Sequence, residues 1–398
     1  MTMFEIIEKE DVASDSDTVI KVIGVGGAGG NAVDHMIREG VMGVEFVAAN
    51  TDAQALKRSV AHKKLRLGKT GLGAGAKPEV GRNAAVEERE YIAEALKGAH
   101  MAFITAGMGG GTGTGAAPIV AEVAREMGIL TVAVVTKPFA FEGKRAKIAE
   151  AGIAELQKNV DSLIVILNDK LMDVLGDDVS MDEAFKAADN VLRNAVGGIA
   201  EIINFPGLVN VDFEDVRTVM SEMGMAMMGS ANAAGVDRAR IAAEQAVASP
   251  LLEGINLSGA KGVLVNITAT RSLKMKEVNE VMSTVREFAA EDAHIIFGAV
   301  YDESMGDEIR VTVVATGLGQ TQARRQPFEV INTPVVQATG TDGAFIAGPG
   351  VQGVDYSHLD VPAIVRNGRS QRSSQVEALA NSGVDRYDIP AFLRKQAD

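Results

Sequence analysis

Two glycine-rich segments of this 398-residue chain have a composition suited to binding chemistry. The first is GVGGAGGNA, residues 24–32, and the second is GMGGGTGTGAAP, residues 107–118. Ordering a glycine costs more backbone entropy than ordering any other residue, so this density needs a reason. Glycines let the backbone approach a ligand with its N–H groups pointing inward, and the natural ligand of such a loop is an anion, above all phosphate. Both segments therefore predict phosphate binding.

The second glycine segment lies between a strand-like run, MAFIT, and a helix-like run, AAPIVAEVAREMG. The first N–H groups of a helix have no partner within the helix and carry the positive end of its dipole, which favours an anion there. Thr112 and Thr114 add hydroxyl groups to the same loop. A tight turn alone would account for one or two glycines but not for this run.

The first glycine segment matches the pattern G-x-G-x-x-G at Gly24, Gly26 and Gly29. Taken alone, this pattern is typical of a dinucleotide-binding Rossmann fold, so an oxidoreductase is an alternative at this point. An oxidoreductase has one such loop, however, whereas two loops on separate strand ends suit a ligand with several phosphates. The segment LGKT, residues 67–70, is not the end of a Walker P-loop, because Lys63 stands where that motif needs glycine.

The segment NVDFED supplies a second set of candidate residues, Asn210, Asp212 and Asp215. The residues alone favour a structural role, in which Asp212 caps the N-terminus of a helix and Asp215 is its capping-box partner. The apolar spacing predicts that this helix runs from Asp215 to about residue 229 and includes the methionine-rich stretch 221–230.

The elements that must position these residues form two groups. Five apolar runs of seven to ten residues predict buried strands, which alternate with helical stretches, at 19–26, 44–50, 101–107, 129–138 and 162–169. This alternation indicates a parallel sheet with helices on both faces. A long helix is predicted over 181–204, and a helix, a strand, a helix and two strands between 237 and 317 predict a smaller α+β domain.

Composition excludes several classes of protein. The chain is 46% hydrophobic, carries a formal net charge of −14 and has no cysteine. The charge argues against a nucleic-acid or membrane-surface binder, and the missing cysteines exclude disulfides and thiolate chemistry. Because we find no signal pattern and no run of about 18 apolar residues, we expect a cytoplasmic protein without membrane insertion. The histidines share no motif and are predicted to be surface or core residues rather than catalysts: His35, His62, His100, His294 and His358.

The two ends of the chain differ from its middle. Residues 1–17 are predicted to be a disordered arm, and residues 319–384, which are rich in Gln, Gly, Thr, Ser and Pro, a disordered linker. Apolar residues return in the last segment, 385–398, which contains DIPAFLRK. An apolar segment at the end of a tether is typical of a docking peptide, although a stray apolar cluster is an alternative.

Several motifs together resemble the tubulin/FtsZ family, and within it the bacterial FtsZ proteins. They are GGGTGTG (109–115), GVGGAGGNA (24–32), NTDAQAL (50–56), TKPFAFEGKR (136–145) and NVDFEDVRTVMSEMG (210–224). The resemblance covers residues 18–317 and the terminal DIPAFLRK. It implies a tubulin-like fold, with a Rossmann-type GTP-binding domain over 18–204, including a central helix, and a smaller α+β domain over 205–318. It also implies a GTPase that polymerises head to tail into the cytokinetic ring at the midcell division site.

The resemblance assigns roles to individual residues. The phosphates of GTP or GDP would be held by the two glycine loops, at Gly27, Ala28, Gly29, Gly30, Asn31, Gly110, Gly111, Thr112, Gly113 and Thr114. Glu142 and Arg145 match ribose and phosphate contacts, while Phe185 and Asp189 match positions that stack on and read guanine. Mg²⁺ would be bound through the nucleotide rather than by a set of protein ligands. The chain departs from the family at Ala28, where many members have glycine, and in having one residue fewer between FEG and the next helix.

The resemblance also implies a catalytic role for the acidic segment. In the family this loop enters the nucleotide site of the next subunit, so Asn210, Asp212 and Asp215 would complete hydrolysis there. The implied partners are further copies of the chain and, through the terminal peptide, membrane-tethering division proteins such as FtsA and ZipA. A non-hydrolysing scaffold that binds nucleotide for structure alone is an alternative, and a phosphate-release assay would distinguish it.

Overall fold

Strands and helices alternate along the residues that this computed structural model describes, which are 18–318 without 177, 206, 210, 222–223, 250–259 and 291. The strands are β1 Ile20–Val25, β2 Glu45–Asn50, β3 Lys63–Arg66, β4 Met101–Gly107, β5 Leu130–Lys137, β6 Ser162–Leu167, β7 Gly207–Val209, β8 Gly224–Ala234, β9 Gly262–Ala269, β10 His294–Tyr301 and β11 Glu308–Leu318. The helices are α1 Gly26–Arg38, α2 Ala53–Arg58, α3 Pro78–Glu87, α4 Arg89–Leu96, α5 Thr112–Glu126, α6 Lys144–Gln157, α7 Asn168–Leu175, α8 Met181–Asn204, α9 Phe213–Met220, α10 Arg238–Val247 and α11 Met275–Phe288.

These strands form a single 11-stranded sheet in the order β3-β2-β1-β4-β5-β6-β8-β11-β9-β10-β7. Every pair from β3 to β8 along this order is parallel. β11 is antiparallel to both of its neighbours, and β9 and β10 are parallel to each other. The expected parallel sheet followed by a smaller mixed α+β region is confirmed.

The central parallel strands β1, β4 and β5 are apolar and are covered on both faces of the sheet. All six residues of β1 are buried. Val22 and Phe46 belong to a core with α1 and α8, whereas Ile23 and Val47 belong to a second core with α4 and α5 on the opposite face. Alternate strand residues point to opposite faces, so each strand supplies both cores. This arrangement leaves the ends of the parallel strands as the places where a ligand can bind.

The long helix α8 has the bounds that the sequence predicts, Met181–Asn204. It begins with a capping box, in which the Ser180 hydroxyl accepts a hydrogen bond from the Glu183 N–H and the Glu183 carboxylate accepts one from the Ser180 N–H. Its apolar face lies in the same core as Leu264 and Val314 of the mixed half. The helix therefore packs against both halves of the sheet.

The prediction that the acidic segment starts a helix reaching residue 229 is wrong. Helix α9 ends at Met220, and β8 begins at Gly224 within the methionine-rich stretch. Met227 and Met228 point into different cores, which is the alternation of a strand. The strand is stabilised by tertiary pairing, because residues of β8 pair with both β6 and β11. The predicted helix is also disfavoured by its two glycines, each of which costs about 1 kcal/mol in a helix.

Two other short strands, β3 and β7, were not anticipated, since KKLR is polar and GLV is only three residues long. The helices and strands expected after residue 237 are confirmed as α10, β9, α11, β10 and β11. The predicted arm 1–17, linker 319–384 and docking peptide 385–398 lie outside the described residues. The division between domains at residues 204 and 205 remains a prediction.

Candidate nucleotide-binding site

The two glycine loops meet at one end of the parallel sheet. The first joins β1 to α1 and the second joins β4 to α5, and β1 pairs directly with β4. Gly26 has a φ of +78°, and a Cβ added there would lie 2.8 Å from the backbone nitrogen of Gly113. Only glycine tolerates both this conformation and this contact. The loops thus form one continuous wall.

Glycines in both loops leave the backbone open to a ligand. A Cβ added at Gly27, Gly30 or Gly110 would have no atom within 4 Å, so the space in front of each is empty. Neither α1 nor α5 has a capping side chain at its N-terminus. Two helix starts without side-chain caps therefore face one open region, which is the arrangement that favours a bound anion.

The two threonines of the second loop have different surroundings. The Thr112 Oγ1 lies 2.6 Å from the Thr51 Oγ1 at the end of β2. The buried Thr114 Oγ1 accepts a hydrogen bond from the Gly109 N–H at 2.8 Å, so this hydroxyl stabilises the loop itself. Gly29 is likewise packed against the carbonyl oxygen of Thr105. Gly29 and Thr114 therefore support the wall, whereas the other predicted phosphate residues line it.

Two adjoining cavities share Gly27 and Thr112. The smaller, about 270 Å³, extends from the glycine loops to Glu142, Arg145 and Phe185. The larger, about 500 Å³, extends the other way to α1, the end of β2 and the start of α2, where it is lined by Asn31, Asp34, Asn50, Asp52 and Arg58 among others. The phosphate loops lie where the two cavities meet, so the site is elongated, with room for groups on either side of a phosphate chain.

Glu142 and Arg145 are paired at the wall of the smaller cavity. The Arg145 Nη1 donates to the Glu142 Oε2 at 2.6 Å, and the Glu142 Oε1 accepts from the Phe139 N–H at 3.0 Å. The carboxylate is therefore fixed from two sides. Arg145 lines the smaller cavity together with Glu142.

An aromatic cluster stands at the far end of the smaller cavity. The buried Phe139 ring stacks on Phe141, with centroids 5.2 Å apart, and makes an edge contact with Phe185 at 5.7 Å. The Phe185 side chain lines the cavity and is 45% exposed. Because the Phe185 ring is fixed by its contact with Phe139 yet remains partly exposed, it is suited to stacking against a flat base.

Asp189 follows Phe185 by one turn of α8, on the same side of the helix. It is half-buried and has no hydrogen-bond partner among the described residues. Burial raises the pKa of its carboxyl to about 6, and the charge of His35 on α1 opposes that rise. The His35 Nε2 lies 2.8 Å from the Oδ1 of Asn190, the next residue along α8.

The acidic segment lies elsewhere in the molecule. The capping role expected for Asp212 is confirmed, because its carboxylate accepts a hydrogen bond from the Asp215 N–H at 2.8 Å. The return bond of a full capping box is not found among the described residues. Both carboxylates are exposed, and Asn210 lies outside the described residues.

The start of α9 and the glycine loops are at opposite ends of β4. The Phe213 ring makes an edge contact with His100, the residue before β4, with centroids 6.2 Å apart. The second glycine loop follows the other end of this seven-residue strand. At about 3.3 Å per residue, roughly 20 Å separate the two ends. The fold therefore does not bring Asp212 and Asp215 to the glycine loops of their own chain.

Some residues of the site were missed from the sequence. Thr136 and Pro138 at the end of β5, and Asn168 after β6, line the smaller cavity. The Asn168 Oδ1 is buried without a hydrogen-bond partner, so it has bonding capacity to offer a ligand. Their positions in the sequence could have indicated a role in binding, since ligands of open parallel sheets bind beyond the carboxyl ends of the strands, where all three residues lie.

Within the described ranges no group of three or more His, Asp or Glu residues is arranged to hold a metal ion. Across the same ranges, no helix has the length and apolar character needed to cross a bilayer.

Sequence models of known families match both halves of the chain. Residues 19–176 match the Tubulin/FtsZ family, GTPase domain, and residues 224–319 match the FtsZ family, C-terminal domain. The cell division protein FtsZ of Pseudomonas aeruginosa is 55% identical over 402 residues, covering 100% of both chains. The protein of the same name from Coxiella burnetii is 54% identical, covering 99% of each chain.

Solved structures give the same result. An FtsZ dimer from M. jannaschii is similar with a TM-score of 0.73 and 44% identity, covering 76% of this chain and 89% of that one. CetZ2 from Haloferax volcanii, in a GTPγS-bound protofilament, has a TM-score of 0.66 at 21% identity, covering 76% and 94%, and so shares the fold. With both family domains in order and full-length relatives above half identity, the chain belongs to the FtsZ family of tubulin-like GTPases.

Proposed function

We propose that the chain binds GTP across the two cavities. The glycine loops would hold the phosphates, Glu142 and Arg145 would contact the ribose and phosphates, and Phe185 would stack on the base. Asp189 would accept hydrogen bonds from the guanine N1–H and amino group, a donor pair that adenine does not present. The open space in front of Gly27, Gly30 and Gly110 supports this pose, because phosphate oxygens can reach their N–H groups there.

The chain hydrolyses GTP as part of a head-to-tail polymer of itself. One observation carries this proposal: the acidic segment and the phosphate loops lie at opposite ends of β4, roughly 20 Å apart. In a stack of subunits with the same orientation, Asp212 and Asp215 of one subunit meet the phosphates of the next. The solved FtsZ dimer and the CetZ2 protofilament are assemblies of relatives.

The residues fit a mechanism based on positioning and charge. Phosphoryl transfer needs an oriented water and neutralised phosphate charge rather than a covalent intermediate. Asp212 and Asp215 would orient the water, and the N–H groups of the glycine loops would stabilise charge on the phosphates. Mg²⁺, held mainly by the nucleotide, would supply further positive charge. Asn50 and Asp52 face the larger cavity with the oxygen ligands that this ion prefers.

The biological role that follows is assembly of the cytokinetic ring at midcell in the cytoplasm. The support is the name shared by the full-length relatives, cell division protein FtsZ. The terminal segment 388–395 would dock on membrane-tethering division proteins such as FtsA and ZipA. Its apolar residues Ile389, Phe392 and Leu393 have the spacing of one face of a short helix.

The test is the dependence of hydrolysis on protein concentration. Phosphate release and light scattering should be measured together, with GTP and with GDP. We expect the rate per chain to rise steeply above a threshold that coincides with scattering, because a single chain has no complete site. A rate per chain that stays constant on dilution below that threshold would overturn the proposal.

A further inference from the structure

The hydroxyl of Thr112, in the second glycine loop, is held by a residue from another part of the chain. Its Oγ1 lies 2.6 Å from the Oγ1 of Thr51, which is 61 positions away in the sequence. Thr112 lines both cavities, whereas Thr51 lines neither and is only 3% exposed. Thr51 is therefore placed behind Thr112 as seen from a ligand, and it acts on that ligand through the Thr112 hydroxyl.

The backbone around Thr51 is fixed by hydrogen bonds to the segment that follows β3. The Thr51 carbonyl accepts a bond from the Gly73 N–H at 3.1 Å, and the Asn50 carbonyl accepts one from the Leu67 N–H at 2.9 Å. Because Thr51 is also buried, its side chain is enclosed by protein rather than by water. The position of the Thr51 hydroxyl is thus set by the fold before any ligand binds.

Thr112 needs such a partner because its own position leaves the hydroxyl free to rotate. It is the first residue of α5 and is only partly buried. A threonine in a helix divides between two χ1 rotamers, so its hydroxyl has no single direction of its own. Thr114 differs, since its hydroxyl is bonded to the Gly109 N–H of the same loop. The bond to Thr51 selects one rotamer of Thr112 and removes the entropy cost of selecting it when a ligand binds.

The chemistry of the two hydroxyls gives their hydrogen bond a direction once a phosphate is present. In the free protein either oxygen can be the donor. A hydroxyl has one proton to donate, and an ionised phosphate oxygen only accepts. If Thr112 donates its proton to phosphate, its oxygen accepts from Thr51, and Thr51 is then the donor of the pair. Each hydroxyl in such a chain polarises the next, which strengthens the bond to the anion.

We propose that Thr51 is a positioning residue for phosphate binding, which donates a hydrogen bond to Thr112 and so directs the proton of the Thr112 hydroxyl at a phosphate oxygen of the nucleotide. The inference rests on the proposed function, since it assumes that Thr112 contacts the phosphates. It adds to that site a residue that the nucleotide does not touch. A purely structural role of Thr51 would affect the stability of the fold but not the affinity for phosphate in particular.

The experiment compares the binding of GDP and of guanosine, which has the base and ribose but no phosphate, by calorimetry on the full chain below the assembly threshold. Thr51→Val replaces the hydroxyl with a methyl group of similar size, and Thr51→Ser keeps the hydroxyl. Thr112→Val removes the proposed phosphate donor itself. Thr131→Val is the matched control, because it removes another buried threonine hydroxyl, bonded to the Ile129 carbonyl at the end of β5 away from the glycine loops.

We expect Thr51→Val to bind GDP about fivefold more weakly than the wild type, which corresponds to the loss of one hydrogen bond, and to bind guanosine equally well. Thr51→Ser and Thr131→Val should bind both ligands as the wild type does. In a chain that already carries Thr112→Val, adding Thr51→Val should have no further effect on GDP binding, because no hydroxyl remains to be positioned. The loss should be the same with Mg²⁺ and with EDTA, since the proposed bond is to the phosphate and not to the ion.

The possible failures are distinguishable from one another. If Thr112→Val weakens GDP binding but Thr51→Val does not, the role of Thr51 is wrong, although the phosphate contact of Thr112 stands. If Thr51→Val weakens GDP and guanosine equally, or weakens GDP further in the Thr112→Val chain, Thr51 acts by shape and the inference is also overturned. A loss confined to solutions with Mg²⁺ would overturn the direction of the bond. If Thr112→Val binds GDP as the wild type does, the proposed phosphate contact itself fails. Thermal unfolding of each variant checks that it is folded.

Discussion

Individual residues in this fold combine a structural effect with a proposed functional role, and a suitable substitution separates the two. Asp212 caps α9 and is also proposed to serve the neighbouring active site. Asp189 is half-buried, which raises the pKa of its carboxyl to about 6, and it is also proposed to bind guanine. In both cases an isosteric amide keeps the shape while removing the charge.

Asp212→Asn should reduce GTP hydrolysis per assembled chain by at least tenfold while leaving the unfolding free energy nearly unchanged. Asparagine caps helices as well as aspartate does, so the bond to the Asp215 N–H survives but the carboxylate is gone. Asp212→Ala should lose hydrolysis and also about 1 kcal/mol of stability. Glu214→Gln, at an exposed acid in the first turn of the same helix, is the matched control. Normal hydrolysis by Asp212→Asn would mean that the residue is only a cap.

Asp189→Asn should stabilise the nucleotide-free protein at pH 7.5 by about 1 kcal/mol, after allowance for solvent screening, while weakening GDP binding. The folded-state pKa of about 6 exceeds the ordinary 3.8, so the wild type loses stability as the pH rises through 6. Asparagine has no such loss. The gain should therefore shrink as the pH falls from 7.5 to 5 in urea unfolding experiments. Asp182→Asn, exposed on the same helix, is the control, and a gain independent of pH would contradict the explanation.

At the scale of elements, the glycine loops show that glycines within one motif have different structural roles. Some allow strand and helix to meet, and others keep the cavity free of side chains. The distinction is not visible in the sequence, where all of them belong to the same pattern. It predicts that the same substitution affects stability at one position and ligand affinity at the next.

Gly26→Ala should destabilise the fold by a few kcal/mol, because a Cβ would sit 2.8 Å from the Gly113 nitrogen at a φ of +78°. Gly27→Ala should leave stability within about 1 kcal/mol, because its Cβ would meet nothing within 4 Å. Its methyl group would instead occupy space beside the phosphates, and GDP affinity should fall at least tenfold. Thermal unfolding and calorimetry on the pair test this. Equal destabilisation by both changes would refute the division of roles.

The elements differ in how far they could be predicted. Strands β1, β2, β4, β5 and β6 are largely continuous apolar runs, and α8 has a capping box and a clear apolar face, so these elements were evident in the sequence. β8 was not, because its mixture of methionine, alanine and glycine has no decisive period and its state is set by pairing with β6 and β11. The residues of the glycine loops were evident from their motif. The contact of His35 with Asn190 joins residues 155 apart in the sequence, so it depends on tertiary structure and no local pattern encodes it.

At the scale of the whole molecule, the separated halves of the proposed active site predict complementation. Asp212→Asn retains a good pocket, and Gly27→Ala retains a good acidic segment. When the two are mixed, some junctions should place a normal segment against a normal pocket, so hydrolysis should partly return. The mixture should be compared with each variant alone, with co-assembly established by pelleting differently labelled chains. No recovery in proven mixed polymers would exclude a shared site.

Removal of residues 385–398 should leave GTP hydrolysis and assembly nearly unchanged while abolishing recruitment to a membrane-tethered partner. A short helix of this kind is unfolded alone and gains affinity by repetition along a polymer. Sedimentation and vesicle recruitment of the truncated and full-length chains provide the test. Loss of assembly on truncation would show that the segment belongs to the folded core.

The proposed head-to-tail assembly, with the glycine loops and the acidic segment at opposite ends of β4, has a consequence for filament polarity. A filament of identically oriented subunits has one terminus with an exposed nucleotide pocket and another with an exposed acidic segment. The nucleotide at the first terminus has no acid beside it and would stay intact, whereas every internal nucleotide is open to hydrolysis. The two termini would then differ in the state of their bound nucleotide as well as in the surface that they expose. Identical subunits with the two proposed half-sites at the ends of one seven-residue strand would thus specify a direction along the polymer.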